Sequence, residues 1–257
     1  MRLLFDLGNS RLKAALRLPG GGLSLLGEAR HPGEGIDAAL ATALRGTSVD
    51  GQPGALCANV AGGAAGRALA AALQARGCGP LEFLRAGREA CGVRCGYARP
   101  EHLGADRWAA LLGARGMTAG ACLVVDAGSA LTIDVLGADG QHHGGWIMPG
   151  LAMMLEALEA RTGELRALRR ASSAASPASI PTDTGPGMEQ GVRLAAAGAV
   201  HLARDTLRAS GGEPVGMLLT GGDAPQLLPM LDGAEVVPDL VLRGLARAAG
   251  GCDDTAS

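Results

Sequence analysis

CLVVDAGSALTIDVL, residues 122–136, is the stretch from which the fold can be read. Leu123-Val124-Val125 is a short apolar run with the character of a buried strand. It ends at Asp126-Ala127-Gly128-Ser129, where a glycine permits a tight reversal. Alternation then resumes: Leu131, Ile133 and Val135 fall on one face, Thr132 and Asp134 on the other. The pattern is strand, turn, strand, with a carboxylate and a hydroxyl at the bend. It also occurs 120 positions earlier, as Leu3-Leu4-Phe5-Asp6-Leu7-Gly8-Asn9-Ser10 followed by Arg11–Leu16. Asp6 aligns with Asp126 and Gly8 with Gly128. A chain that opens each half with one hairpin is expected to consist of two related domains, at 1–117 and 118–257, facing each other.

Composition bounds what those domains can do. A chain of 257 residues buries a core without difficulty. Its residues are 47% apolar but only 2% aromatic, so the core is aliphatic. A net charge of -2 offers no electrostatic case for nucleic acid or an anionic membrane. Lys13 is the single lysine among 23 basic residues, which marks it for a specific role. The six cysteines lack the paired CxxC spacing of a zinc site, and Cys57 and Cys122 fall in apolar strands as reduced core residues. The N-terminus runs straight into a strand, and no apolar run approaches membrane-spanning length. A cytoplasmic, soluble protein is the expectation.

Taken in order, residues 2–30 predict a three-stranded meander, with Pro19-Gly20-Gly21-Gly22 as its second turn. A helix over 36–44, a strand over 54–60, a helix over 64–76 and a short strand over 81–84 follow. Residues 86–102 look irregular. A helix over 103–115 carries Gly104-Ala105-Asp106-Arg107 in its first turn, where an acidic residue suits the positive helix end. In the second half Asp139-Gly140 is a tight-turn dipeptide, and Gly144-Gly145-Trp146-Ile147-Met148-Pro149-Gly150 leads into a helix over 151–161. Residues 171–187 form a long Ser/Pro/Gly-rich loop. A helix over 188–209, a strand over 215–219 ending in Thr220-Gly221-Gly222-Asp223, and a helix over 238–248 complete the chain. Strands alternating with helices in both halves give an α/β fold class.

The turns suit phosphate. Backbone amides around Gly8-Asn9-Ser10 can donate to phosphate oxygens, since glycine lets the backbone come close. Asp6 can hold Mg²⁺, a hard cation that prefers oxygen. Lys13, on the next strand, can point back at a phosphate. Gly128-Ser129 repeats the cradle, so the two hairpins would clamp a polyphosphate tail in a cleft. A D-x-G turn that only caps a hairpin would look the same, but two in register plus a late TGGD favour the phosphate reading.

DLGNSRLK, DAGSALTID and LTGGD resemble the two phosphate motifs and the adenosine motif of the acetate and sugar kinase/Hsp70/actin superfamily. Three further segments are similar to the type III pantothenate kinases: Tyr97-x-x-Pro100-x-x-Leu103-Gly104-x-Asp106-Arg107, Gly144-Gly145-x-Ile147-x-Pro149-Gly150, and Thr184, seven residues before Gly191. The resemblance covers essentially the whole chain. It implies two ribonuclease H-like (actin-like ATPase) domains flanking a nucleotide cleft, and phosphoryl transfer from ATP to the primary hydroxyl of pantothenate, the first step of coenzyme A biosynthesis. It implies Asp106 as general base, and a pantothenate site of Tyr97, Gly104, Ala105, Asp106, Arg107 and Thr184, with Arg107 on the substrate carboxylate. It further implies ATP contacts from Asp6, Gly8, Asn9, Ser10, Lys13, Gly128, Ser129, Gly221 and Gly222. Asp6 would serve Mg²⁺ and Asp126 a monovalent cation, K⁺ or NH₄⁺. A homodimer is implied as well. Ser10 and Ser129 stand where the family usually has threonine; each keeps the hydroxyl.

Two other readings stay open on the sequence: a catalytically quiet relative acting as a transcriptional accessory protein, and a superfamily kinase for another small alcohol. The set Asp6, Asp106 and Asp126 weighs against the quiet reading. His142-His143 is expected on an exposed hairpin, His201 inside a helix as a structural residue, and His102 at the approach to the cleft. Met153-Met154 with Leu151, Leu155 and Leu158 forms an apolar helix face suited to a core or dimer contact.

Overall fold

The computed structural model describes residues 1–47, 51–161, 180–209 and 215–252. It forms two compact units. The first comprises 1–120, 136–144 and 239–257; the second comprises 121–135 and 145–238. Each unit holds one five-stranded mixed sheet.

In the first unit, strands β1 (Arg2–Leu7), β2 (Arg11–Arg17) and β3 (Leu23–Arg30) form the expected meander. β4 (Ala55–Asn59) and β5 (Leu81–Phe83) extend the sheet in parallel from β1, in the order β3-β2-β1-β4-β5. Helices α1 (Ile36–Ala43) and α2 (Gly63–Ala75) cover it. Their buried faces, with Leu40, Leu69 and Leu73 fully buried, meet Leu3, Phe5 and Leu7 of β1 in an aliphatic core. The stretch 86–102, expected to be irregular, contains a small antiparallel hairpin, β6 (Glu89–Ala90) and β7 (Val93–Arg94). Helix α3 (Ala105–Arg115) follows.

The second unit repeats the plan. β8 (Cys122–Ala127) and β9 (Ala130–Leu136) are the opening hairpin, β10 (His142–Pro149) is the outer strand, and β11 (Gly216–Thr220) and β12 (Ala234–Val236) complete the order β10-β9-β8-β11-β12. The parallel neighbour of β8 is β11, as β4 is of β1. Helix α4 (Leu151–Arg161) and the long α5 (Thr184–Ala209) pack on the sheet, and a short α6 (Ala224–Leu227) follows β11. α5 starts at Thr184, four residues before the expected 188. Residues 171–179 of the expected loop lie outside the described residues.

The closing helix α7 (Leu240–Ala249) was expected with the second domain, yet it packs in the first unit. The reason is a glycine crossing. A Cβ at Gly244 would collide with the Ala109 carbonyl, and one at Gly113 with the Leu240 carbonyl. With both side chains absent, α3 and α7 approach backbone to backbone and bury Leu240, Val241, Leu245, Leu111 and Leu112. A disulfide between Cys91 and Cys252 ties the end of α7 to the β6–β7 hairpin. Cys57 and Cys122 are free and buried. Burial, and second the nearby Asp6 carboxylate, push the Cys57 thiol well up, so it stays protonated and inert. No described helix is long and apolar enough to cross a membrane.

Candidate active site

The first unit assembles two groups of site residues. At the end of β1, Asp6 lies opposite Lys13 of β2 in the antiparallel register, so carboxylate and ammonium groups rise from neighbouring strands. The turn between them closes by a hydrogen bond from Gly8 N–H to Arg11 O, 3.0 Å. Neither Gly8 nor Gly128 adopts a positive φ. Glycine's conformational freedom, expected from the sequence, is therefore not what these turns require; what remains is the missing side chain. The Gly8 carbonyl accepts a hydrogen bond from His31 Nε2, 2.7 Å. His31 had no place in the sequence reading, because nothing local links it to a turn 23 positions away.

The second group surrounds α3. Asp106 sits in its first turn, and one carboxylate oxygen accepts the Arg107 backbone N–H at 2.7 Å. An acidic residue suits the positive helix end there. A Cβ at Gly104 would stand 2.6 Å from that same oxygen, which explains the glycine two residues ahead of the aspartate. Arg107 is not a solvated surface charge: it is only 6% exposed. Its guanidinium donates to the Tyr97 hydroxyl at 2.9 Å and lies 5.6 Å from that ring's centroid. His142, expected on an exposed hairpin, is fully buried and stacks on Tyr97. The two groups connect through Val60, whose N–H donates to Leu7 O, 3.0 Å, and whose side chain borders Gly104.

In the second unit, two separate segments converge on the 126–129 turn. Asp223 N–H donates to Ala127 O, 2.8 Å, which locks Thr220-Gly221-Gly222-Asp223 onto it. Gly221 has φ 94°, and a Cβ there would strike the Ala127 carbonyl; only glycine serves. Gly150 N–H donates to Ser129 O, 3.2 Å, and its missing Cβ leaves room for the Gly128 carbonyl. Gly145 likewise passes over the backbone of Ile133. Asp134, which alternation placed on the polar face, is buried. Thr184 begins α5 and, with Pro149, Met154, Leu158 and Met188, lines an apolar groove of about 740 Å³.

The donor set fits a nucleotide with a phosphate-bound cation. Among the described residues no three His, Cys, Asp or Glu side chains cluster as a metal cage. A half-buried carboxylate at each strand end suits a hard cation that takes its remaining oxygens from phosphate and water. Nothing lies within 4 Å of a Cβ at Gly222, so that surface is open.

A family profile for the type III pantothenate kinases matches residues 2–204. The chain belongs to the type III pantothenate kinase family. The type III pantothenate kinase of Xanthomonas oryzae pv. oryzae (strain PXO99A) is 41% identical over 243 residues, covering 95% of either chain. Among solved structures, a Campylobacter jejuni protein described as a conserved Baf family transcriptional activator aligns with TM-score 0.60 and 24% identity over 96% of this chain and 98% of that one. A Sinorhizobium meliloti protein described as a 2-dehydro-3-deoxygalactonokinase aligns with TM-score 0.59 and 16% identity over 97% and 99%. These two share the fold. The chain is thus a kinase built from two ribonuclease H-like units, of a family that uses ATP and a divalent metal ion.

Proposed function

We propose that this type III pantothenate kinase transfers the γ-phosphoryl group of ATP to the primary hydroxyl of pantothenate, giving 4'-phosphopantothenate. The observation that carries the reading is the Tyr97–Asp106–Arg107 group. A buried guanidinium, aligned by a phenol and placed one residue from a helix-end carboxylate, offers what a hydroxy acid needs. Arg107 takes the pantothenate carboxylate, a pairing that a planar guanidinium makes bidentately. Asp106 accepts the hydroxyl proton as the oxygen attacks phosphorus. Phosphoryl transfer leaves the protein mostly positioning and charge neutralisation, so one orienting carboxylate suffices. Tyr97, Gly104 and Ala105 complete the acceptor site on the first unit, and Thr184 is a further candidate for a polar contact to pantothenate.

Asn9 and Ser10, beside Gly8, offer amides and a hydroxyl to the phosphates, as do Gly128 and Ser129; Lys13 adds a positive charge. Gly221 and Gly222 lie beside adenine. Asp6 would hold Mg²⁺, which neutralises phosphate charge when bound, and Asp126 a monovalent cation, K⁺ or NH₄⁺. The enzyme acts in the cytoplasm as a homodimer without nucleic acid. Supporting the dimer, Leu194 and Leu202 of α5 and Met153 of α4 are exposed apolar residues on neighbouring helices.

A coupled ADP-release assay with pantothenate, Mg²⁺ and K⁺ tests the reading. Pantothenate-dependent ADP release is expected. Turnover only with another alcohol, or with none, contradicts it; the latter would favour an accessory role.

A further inference from the structure

Residues 139–142 form the tip between β9 and β10, and they grip the segment that leads to Tyr97. Arg94 N–H donates to Gly140 O, 2.9 Å, and the Arg94 guanidinium reaches Asp139 at 2.6 Å. Gln141 Nε2 donates back to Arg94 O, 3.4 Å. Gly96 lies so close to the His142 carbonyl that any Cβ there would collide with it. The grip ends at the rings: His142 and Tyr97 centroids are 5.8 Å apart with planes at 18°, a stacked pair, and His142 has no exposed surface. The phenol so held accepts a hydrogen bond from Arg107.

We infer that His142 is a positioning residue for the acceptor site, whose stacked ring fixes Tyr97 and, through the Tyr97 hydroxyl, the angle of the Arg107 guanidinium. This rests on the reading of Tyr97 and Arg107 as the acceptor's carboxylate grip. Three arguments support it. A stack of two rings restricts the phenol to a narrow range of χ angles, which a β-strand tip alone does not do. Arg107 is buried, so its direction depends on the partners that hold it rather than on water. A bidentate carboxylate contact is also directional and loses strength quickly when the guanidinium plane turns. His142 therefore acts on acceptor binding and leaves the nucleotide turns alone.

The test uses the full-length enzyme and two readouts. Tyr97 is the only tyrosine, so tyrosine-labelled enzyme gives a single ring signal by NMR. Wild type is expected to show the upfield displacement of a stacked ring. His142→Ala should lose it and His142→Phe should keep it. In kinetics, His142→Ala should raise KM for pantothenate by about tenfold, the worth of one aromatic pair. Its KM for ATP should hold steady, and His142→Phe should restore most of the loss. If His142→Ala does not fold, His142→Asn provides the ring-less variant. An unshifted tyrosine signal in wild type, equal rises in both KM values, or a Phe variant as poor as Ala would overturn the inference. A wild type inactive on pantothenate would overturn the proposed function instead, while the tyrosine signal still decides whether His142 holds the ring.

Discussion

The turns at Asp6 and Asp126 are two versions of one device. Residues 3–10 and 123–130 share the same succession of buried and exposed positions, and their strands occupy the same places in sheets of the same order. What differs is what surrounds them. The first turn has Lys13 across the hairpin and His31 on the Gly8 carbonyl, and a Cβ at Gly8 would meet nothing closer than 3.6 Å. The second has Ile133 in place of the lysine and is walled by Gly150 and Gly221. The first is an open turn equipped with charge; the second is a packed turn equipped with backbone. The scaffold is the same in both; the neighbours differ.

Mutations at equivalent positions should separate the two. The largest effect is expected for the carboxylates. Asp6→Asn should weaken Mg²⁺ activation by roughly a hundredfold, and Asp126→Asn by little, since loss of an oxygen that serves a metal costs about 10–100-fold in its affinity. Asp126→Asn should instead abolish the advantage of K⁺ over Na⁺. Metal titrations of both variants check this, and matching profiles would break the distinction. Next come the glycines. Gly150→Ala should cost about 1–3 kcal/mol of stability through overpacking, whereas Gly8→Ala should change stability by less than about 1 kcal/mol but raise KM for ATP. Thermal unfolding beside steady-state kinetics reads both. The smallest effect is at His31. His31→Ala removes one hydrogen bond, about 1 kcal/mol, or about a fivefold rise in KM for ATP, with KM for pantothenate unchanged.

Much of this was legible in the chain. The hairpins, the Gly-x-Asp-Arg helix start and the TGGD turn are local patterns, and each lies where its residues predict. The parts that were not legible depend on contacts distant in sequence. His142 looks like an exposed hairpin residue until Tyr97, 45 positions away, covers it. The placement of α7 with the first unit rests on Gly113 meeting a helix more than a hundred residues later. The Cys91–Cys252 bond spans 161 positions and has no spacing signature. Gly128 was expected to serve its turn through conformational freedom, yet its φ is not positive; the same residue type serves both a strained turn and a close approach, and only backbone angles tell them apart.

Asp106 is proposed to orient and deprotonate the pantothenate hydroxyl for attack on ATP. Phosphorus NMR of wild type and Asp106→Asn, each incubated with ATP, Mg²⁺, K⁺ and pantothenate, tests it most directly. Wild type should build up a phosphate monoester of pantothenate, while Asp106→Asn should form none on the same timescale and still bind ATP. A variant that makes the monoester at a near-normal rate would contradict the account.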